Sequence, residues 1–140
     1  MNFDMVGPAL VLALSAIGAS IGCSLAGMVS HGVMSRVEEG HGKFIGLSAV
    51  PASQIVYGFI LMLLLRNSIQ AGGVSPLSAA FIGGGTGLAI LFAAIYQGLC
   101  CATAIQATAK QPSVFGKTFV AIGIVESFAL FAFVFSLLLI

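Results

Sequence analysis

Charge is the first thing this sequence lacks. Only 6% of its 140 residues are Asp, Glu, Lys or Arg, against about 25% in an ordinary soluble domain. So little charge leaves too little polar surface to cover a globule of this size, which excludes a water-soluble single domain. The net charge of +1 offers no electrostatic footprint for nucleic acid, and no such partner is expected. Tryptophan is absent. The three cysteines, Cys23, Cys100 and Cys101, lie in apolar stretches with no Cys-x-x-Cys pair and no histidine at ligand spacing. That argues against thiolate metal sites and redox chemistry, and they read as small apolar packing residues. His31 and His41 stand near or in a polar loop without a partner that suggests catalysis. The chain has no phosphate-binding loop, and no residue is expected to be catalytic.

What the sequence has is apolar length. Hydrophobic residues make up 59% of it, and the mean hydropathy is +1.16. A helix needs roughly 20 apolar residues to cross a bilayer's hydrocarbon core. Four stretches meet that requirement, at about 6–34, 44–65, 78–109 and 118–140. The expected fold is therefore an all-α membrane protein of four transmembrane helices, with almost nothing outside the bilayer. The opening Met1-Asn2-Phe3-Asp4 lacks a basic n-region and the first run is too long for an ordinary signal h-region, so that span is expected to remain as a helix. The connections 35–43 and 110–117 carry Arg36, Lys43, Lys110 and Lys117, against the single Arg66 on the other side. Basic residues in short loops mark the cytoplasmic face, so these two loops are expected inside and both termini outside.

The chain also repeats itself. Spans one and three are rich in glycine, while spans two and four carry Leu61-Met62-Leu63-Leu64-Leu65 and Phe128, Phe131, Phe133 and Phe135. Each basic loop ends in Gly-Lys, at Gly42-Lys43 and Gly116-Lys117. This is the order of a helical hairpin duplicated in parallel, with one copy over 1–70 and the other over 71–140. Ser15, Gly18, Gly22 and Ala26 recur at three- and four-residue intervals, and Gly83 and Gly87 begin a similar stripe in span three. Small residues let membrane helices approach closely. One reading is ordinary packing within a single four-helix unit. The sharper one makes the two glycine helices a crowded inner layer of a concentric homo-oligomeric ring, with the bulkier helices outside.

Glu126 is the only Asp, Glu, Lys or Arg well inside any span. A carboxylate near mid-bilayer costs on the order of 2.5–3.5 kcal/mol on insertion scales, so it is a functional site by default. Gln54 falls eleven residues after Lys43, Gln97 thirteen before Lys110 and Glu126 nine after Lys117. All three thus lie about 14–20 Å from the charged loops, at nearly one depth. Under the repeat Gln54 is the counterpart of Glu126. Pro51 lacks an N–H and frees backbone oxygens near by; Ser53 adds a hydroxyl, and Tyr57 lies one turn beyond Gln54. One anionic and several neutral oxygens suit a hard cation. A proton needs only the carboxylate.

The duplicated hairpin, the string Pro51-Ala52-Ser53-Gln54 with Tyr57, the string Ile95-Tyr96-Gln97-Gly98 and the carboxylate of Val125-Glu126-Ser127 resemble the rotor-ring proteolipid of V-type ATPases, known in bacteria as subunit K or c. The resemblance covers essentially the whole chain and is nearest to the bacterial sodium-translocating branch. It implies a Na⁺ site made by Glu126, Gln97, Gln54, Ser53 and the backbone carbonyl of Val50, with Tyr57 hydrogen-bonding to Glu126. Ser53 departs from the threonine associated with this motif; the oxygen is kept and the methyl that would fix its rotamer is lost.

The same resemblance implies partners. Copies of the chain form a lipid-embedded ring attached through the cytoplasmic loops to central-stalk subunits. A stator membrane subunit with an arginine-bearing path loads and unloads Glu126 as the ring turns, coupled to ATP hydrolysis or synthesis in a soluble head. The setting it implies is a bacterial cell membrane. An H⁺-specific ring of the same family is the alternative. A small four-helix cation antiporter fits less well, since its acid lies in the first helix beside an aromatic pocket that includes tryptophan. A purely structural membrane ring leaves the matched polar positions unexplained.

Overall fold

The computed structural model describes residues 3–140, so Met1 and Asn2 of the expected N-terminal opening lie outside the described residues. Its elements are α1 (Val6–Met34), α2 (His41–Ala49), a 3₁₀ turn (Val50–Ser53), α3 (Gln54–Gln70), α4 (Pro76–Lys110), a 3₁₀ turn (Pro112–Val114), α5 (Phe115–Ser136) and a last 3₁₀ turn (Leu137–Leu139). They compose four membrane-length spans, Val6–Met34, His41–Gln70, Pro76–Lys110 and Pro112–Leu139.

The helices begin and end where local chemistry dictates. Ser75 caps α4, its hydroxyl accepting from the Ser78 N–H at 3.1 Å, and Pro76 follows in the first turn, where a missing N–H costs nothing. α4 stops at Lys110 because Gln111 precedes Pro112 and takes a non-helical conformation, as the residue before proline prefers. Gly72, at φ 75° in the turn after α3, and Gly40, at φ 83° just before α2, supply the left-handed turns. The second span thus runs beyond the expected 44–65, through Arg66 to Gln70. A cation ends the hydrocarbon zone but does not end a helix, because its long side chain reaches outward to water.

α1 and α4 form the centre. A Cβ at Gly7 would meet the Ala79 carbonyl, and one at Gly83 would meet the Gly7 backbone. One at Gly87 would lie 3.1 Å from Val11 Cα, one at Gly18 would lie 2.6 Å from Leu91 Cα, and one at Gly98 would strike Gly22. Contacts advance along both helices in the same direction, so α1 and α4 run parallel, as a tandem duplication requires. Ser15, Gly18, Gly22, Ala26, Gly83 and Gly87 are all buried. Packing within one chain buries all six. α3 docks on α1 where Gly58 sits over the Ser15 side chain.

α5 is the outermost helix and joins the rest along one seam. Its buried residues are Ile122, Ala129 and Ser136; Glu126 and Phe133, both half-buried, fall between them at alternating four- and three-residue steps. Most of its other large residues, among them Phe128, Phe131, Val134 and Phe135, are exposed. A helix apolar on every side is built for lipid.

The loop ends gather on two opposite faces. Arg36, Gln106 and Lys110 line one cavity of about 510 Å³. The Lys43 ammonium lies 5.3 Å from the centre of the Phe115 ring. Both basic connections therefore share one face, and the turn after α3 lies on the other.

Candidate functional site

The site is organised by the break at Pro51. Having no N–H, Pro51 cannot bond the Leu47 carbonyl; the Val50 N–H takes it instead. The chain tightens into 3₁₀ form, and the Gln54 N–H bonds to Pro51 in place of the Val50 carbonyl that an α-helix would choose. The break is held from behind, since a Cβ at Gly22 would lie 2.8 Å from Pro51 Cβ. Gly22 therefore seats the turn as well as α4.

Two hydroxyls from this segment converge on α5. Ser53 Oγ donates to Glu126 Oε1 at 2.8 Å, and Tyr57 Oη donates to the same oxygen at 3.2 Å. Gln54, the residue after Ser53, pairs instead with Gln97 of α4. Gln54 and Gln97 are each 0% exposed, and Gln54 Nε2 donates to Gln97 Oε1 at 2.9 Å. Gln54 Oε1 and Gln97 Nε2 are buried without a partner. Turning both amides over changes which glutamine offers the oxygen, yet one carbonyl oxygen stays free either way. An unsatisfied buried polar atom costs about 1–3 kcal/mol, and this pair leaves one amide oxygen open in either orientation.

Of the residues singled out in the sequence, the structure joins Ser53, Tyr57 and Glu126 in one cluster and Gln54 with Gln97 in another. Val50 stands at the start of the 3₁₀ turn that carries Ser53. Among the described residues no group of three His, Cys, Asp or Glu is placed to hold a metal ion. Any cation taken here relies on neutral oxygens and one carboxylate, the donor set of a hard, weakly bound ion.

Two features escaped the sequence reading. The Tyr57 ring stacks on Phe133, with centroids 5.9 Å apart. Thr86 and Ser136 share a buried hydrogen bond between α4 and α5; because Ser136 Oγ already donates to the Ala132 carbonyl at 2.7 Å, Thr86 is the donor. Two hydroxyls at matching depth in spans three and four were the available signal for that pair.

Fold and site together define a multi-pass membrane protein of two parallel helical hairpins with a single carboxylate inside the membrane. Residues 6–65 and 80–139 each match the ATP synthase C-subunit family, one copy per hairpin, and the chain belongs to that family. It is similar to the A-type ATP synthase subunit K of Methanocaldococcus jannaschii, at 31% identity over 96% of this chain and 60% of that protein. The chain thus spans about 60% of that relative's length. It is also similar to the V-type sodium ATPase subunit K of Enterococcus hirae, at 28% identity over 100% of this chain and 91% of that protein.

Proposed function

We propose that this chain is a rotor-ring subunit of a V/A-type rotary ATPase, and that it carries Na⁺ on Glu126 as the ring turns. Copies close into a ring with α1 and α4 inside and the other two spans outside. The protein has no nucleotide chemistry of its own. ATP hydrolysis or synthesis takes place in a soluble head, linked through a central stalk seated on the two basic loops. A stator subunit with an arginine-bearing path exchanges the ion at each Glu126. The basic face is cytoplasmic and the membrane is a bacterial cell membrane.

The free, buried amide oxygen of the Gln54–Gln97 pair, one residue along from the Ser53 that holds Glu126, carries this reading. A proton carrier has no use for it. A sodium ion does: Gln54 Oε1 is free, Gln97 Oε1 keeps a second lone pair, and Ser53, the Val50 carbonyl and the carboxylate complete the shell. Sodium requires the carboxylate anion, so Na⁺ and H⁺ compete for Glu126. A carbodiimide attacks the protonated acid, and millimolar Na⁺ should therefore slow its reaction with Glu126. Gln54→Leu or Gln97→Leu should raise the Na⁺ concentration needed for that protection by about tenfold or more, the equivalent of one lost hydrogen-bond-strength contact. Unchanged protection in both variants removes the glutamines from the ion's shell.

Orientation has its own test. Cysteines placed at Glu39 and at Ser75 should react with impermeant thiol reagents from opposite faces of oriented vesicles. Labelling of both from one face contradicts the arrangement.

A further inference from the structure

Tyr57 touches α5 twice. Its hydroxyl donates to Glu126 Oε1 at 3.2 Å, and its ring lies against Phe133 at 5.9 Å with the two planes 29° apart. Glu126 and Phe133 are seven residues apart, two turns along one seam of α5, so they stand about 10 Å apart along the axis. Tyr57 bridges that interval. A phenol oxygen on a single carboxylate bond can swing about two side-chain torsions unless the ring itself is held. Both rings are half-buried and pack on the cluster of Val11, Leu61, Leu65 and Ala129.

We infer that Phe133 is a positioning residue for the ion-carrying site: by stacking on Tyr57 it holds the phenol in the orientation that closes on Glu126. Phe133 touches neither the carboxylate nor the ion and acts through Tyr57. α5 therefore carries both the acid and the support of the group that latches it, so a shift of this helix moves the two together. The inference rests on Glu126 as the exchanging carboxylate and does not depend on which ion it carries.

The same helix supplies a control. Phe131 stacks on Phe135 at 5.9 Å on the exposed side of α5. Removing Phe131 deletes an aromatic pair without touching Tyr57.

The test is the rate of carbodiimide modification of Glu126 in the purified, assembled protein in sodium-free buffer, so that a failed sodium assignment leaves the readout intact. Phe133→Ala should speed modification about three- to tenfold, the factor expected for losing one aromatic pair. Tyr57→Phe, which keeps the ring and removes the hydroxyl, should speed it comparably. The double variant should be no faster than Tyr57→Phe alone, since Phe133 has nothing left to position. Phe133→Tyr should restore the wild-type rate, and Phe131→Ala should leave it unchanged. Additive effects in the double variant, or an equal effect from Phe131→Ala, would overturn the inference by making Phe133 a general packing residue. A Phe133→Ala protein that loses assembly is replaced by Phe133→Leu, which keeps most of the volume without the flat ring. A wild-type rate in that variant also overturns it.

Discussion

Glu126→Gln should abolish ion translocation while leaving the chain folded and assembled. The amide is nearly isosteric with the carboxylate and keeps an oxygen for the Ser53 and Tyr57 hydroxyls that now meet Oε1 at 2.8 and 3.2 Å. Removing a charge from mid-membrane relieves a cost of about 2.5–3.5 kcal/mol on insertion scales. The variant should thus be at least as stable as the wild type. With no group able to alternate between a charged and a neutralised state, no ion is loaded or released. ATP-driven ion uptake in inverted vesicles should fall to background, with assembly checked by native electrophoresis. Transport that survives in an assembled Glu126→Gln ring would show Glu126 to be structural.

The second large effect concerns Gly22. A Cβ there would press into the Ala94 carbonyl of α4 and lie 2.8 Å from Pro51 Cβ. The first of these is backbone, which cannot swing aside as a flexible side-chain end does. Gly22→Leu must therefore separate α1 from α4 and lift the 3₁₀ turn that carries Ser53. Overpacking costs about 1–3 kcal/mol at a well-packed site, and in a symmetric ring the cost recurs in every copy. The expected result is loss of assembled protein on native electrophoresis. Gly27 has nothing within 4 Å of an added Cβ, so Gly27→Ala should leave the packing of the chain intact. Full-size assemblies from Gly22→Leu would contradict the close approach of the two central helices.

Much of this architecture was legible because a bilayer imposes a simple code. Apolar length gave four spans, and the four- and three-residue spacing of Ser15, Gly18, Gly22 and Ala26 gave a face that packs closely. Distances counted from the flanking lysines put Gln54, Gln97 and Glu126 at one depth. Counting along a helix fixes depth but not azimuth. It did not foresee that Gln54 and Gln97 would bond to each other, or that Ser53 and Tyr57 would meet the same carboxylate oxygen. The Tyr57–Phe133 stack was hidden for the same reason. Eleven phenylalanines stud an evenly apolar helix surface, and no periodicity separates the one that supports a tyrosine from those that face lipid. The glycine stripe was ambiguous between packing within one chain and packing between copies, and a single chain displays only the first. The first span, 6–34, coincides with α1; the second and third and the start of the fourth were read short because loop charges mark the hydrocarbon boundary, whereas Ser75, Gly72 and Pro112 mark the ends of the helices.

The central claim, that Glu126 and its neighbouring oxygens bind sodium, is tested most directly in the unmodified protein. Carbodiimide labelling of Glu126 is followed at fixed ionic strength in Na⁺ and in K⁺, from mildly acid to mildly alkaline pH. Sodium should protect in the millimolar range and potassium should not, because an oxygen shell sized for one ion is a poor fit for the larger. The sodium concentration that protects should fall as pH rises, because protons and sodium compete for one carboxylate. If sodium and potassium behave alike at every pH, the oxygen cluster is a hydrogen-bond network around a proton-carrying glutamate and the sodium assignment is wrong.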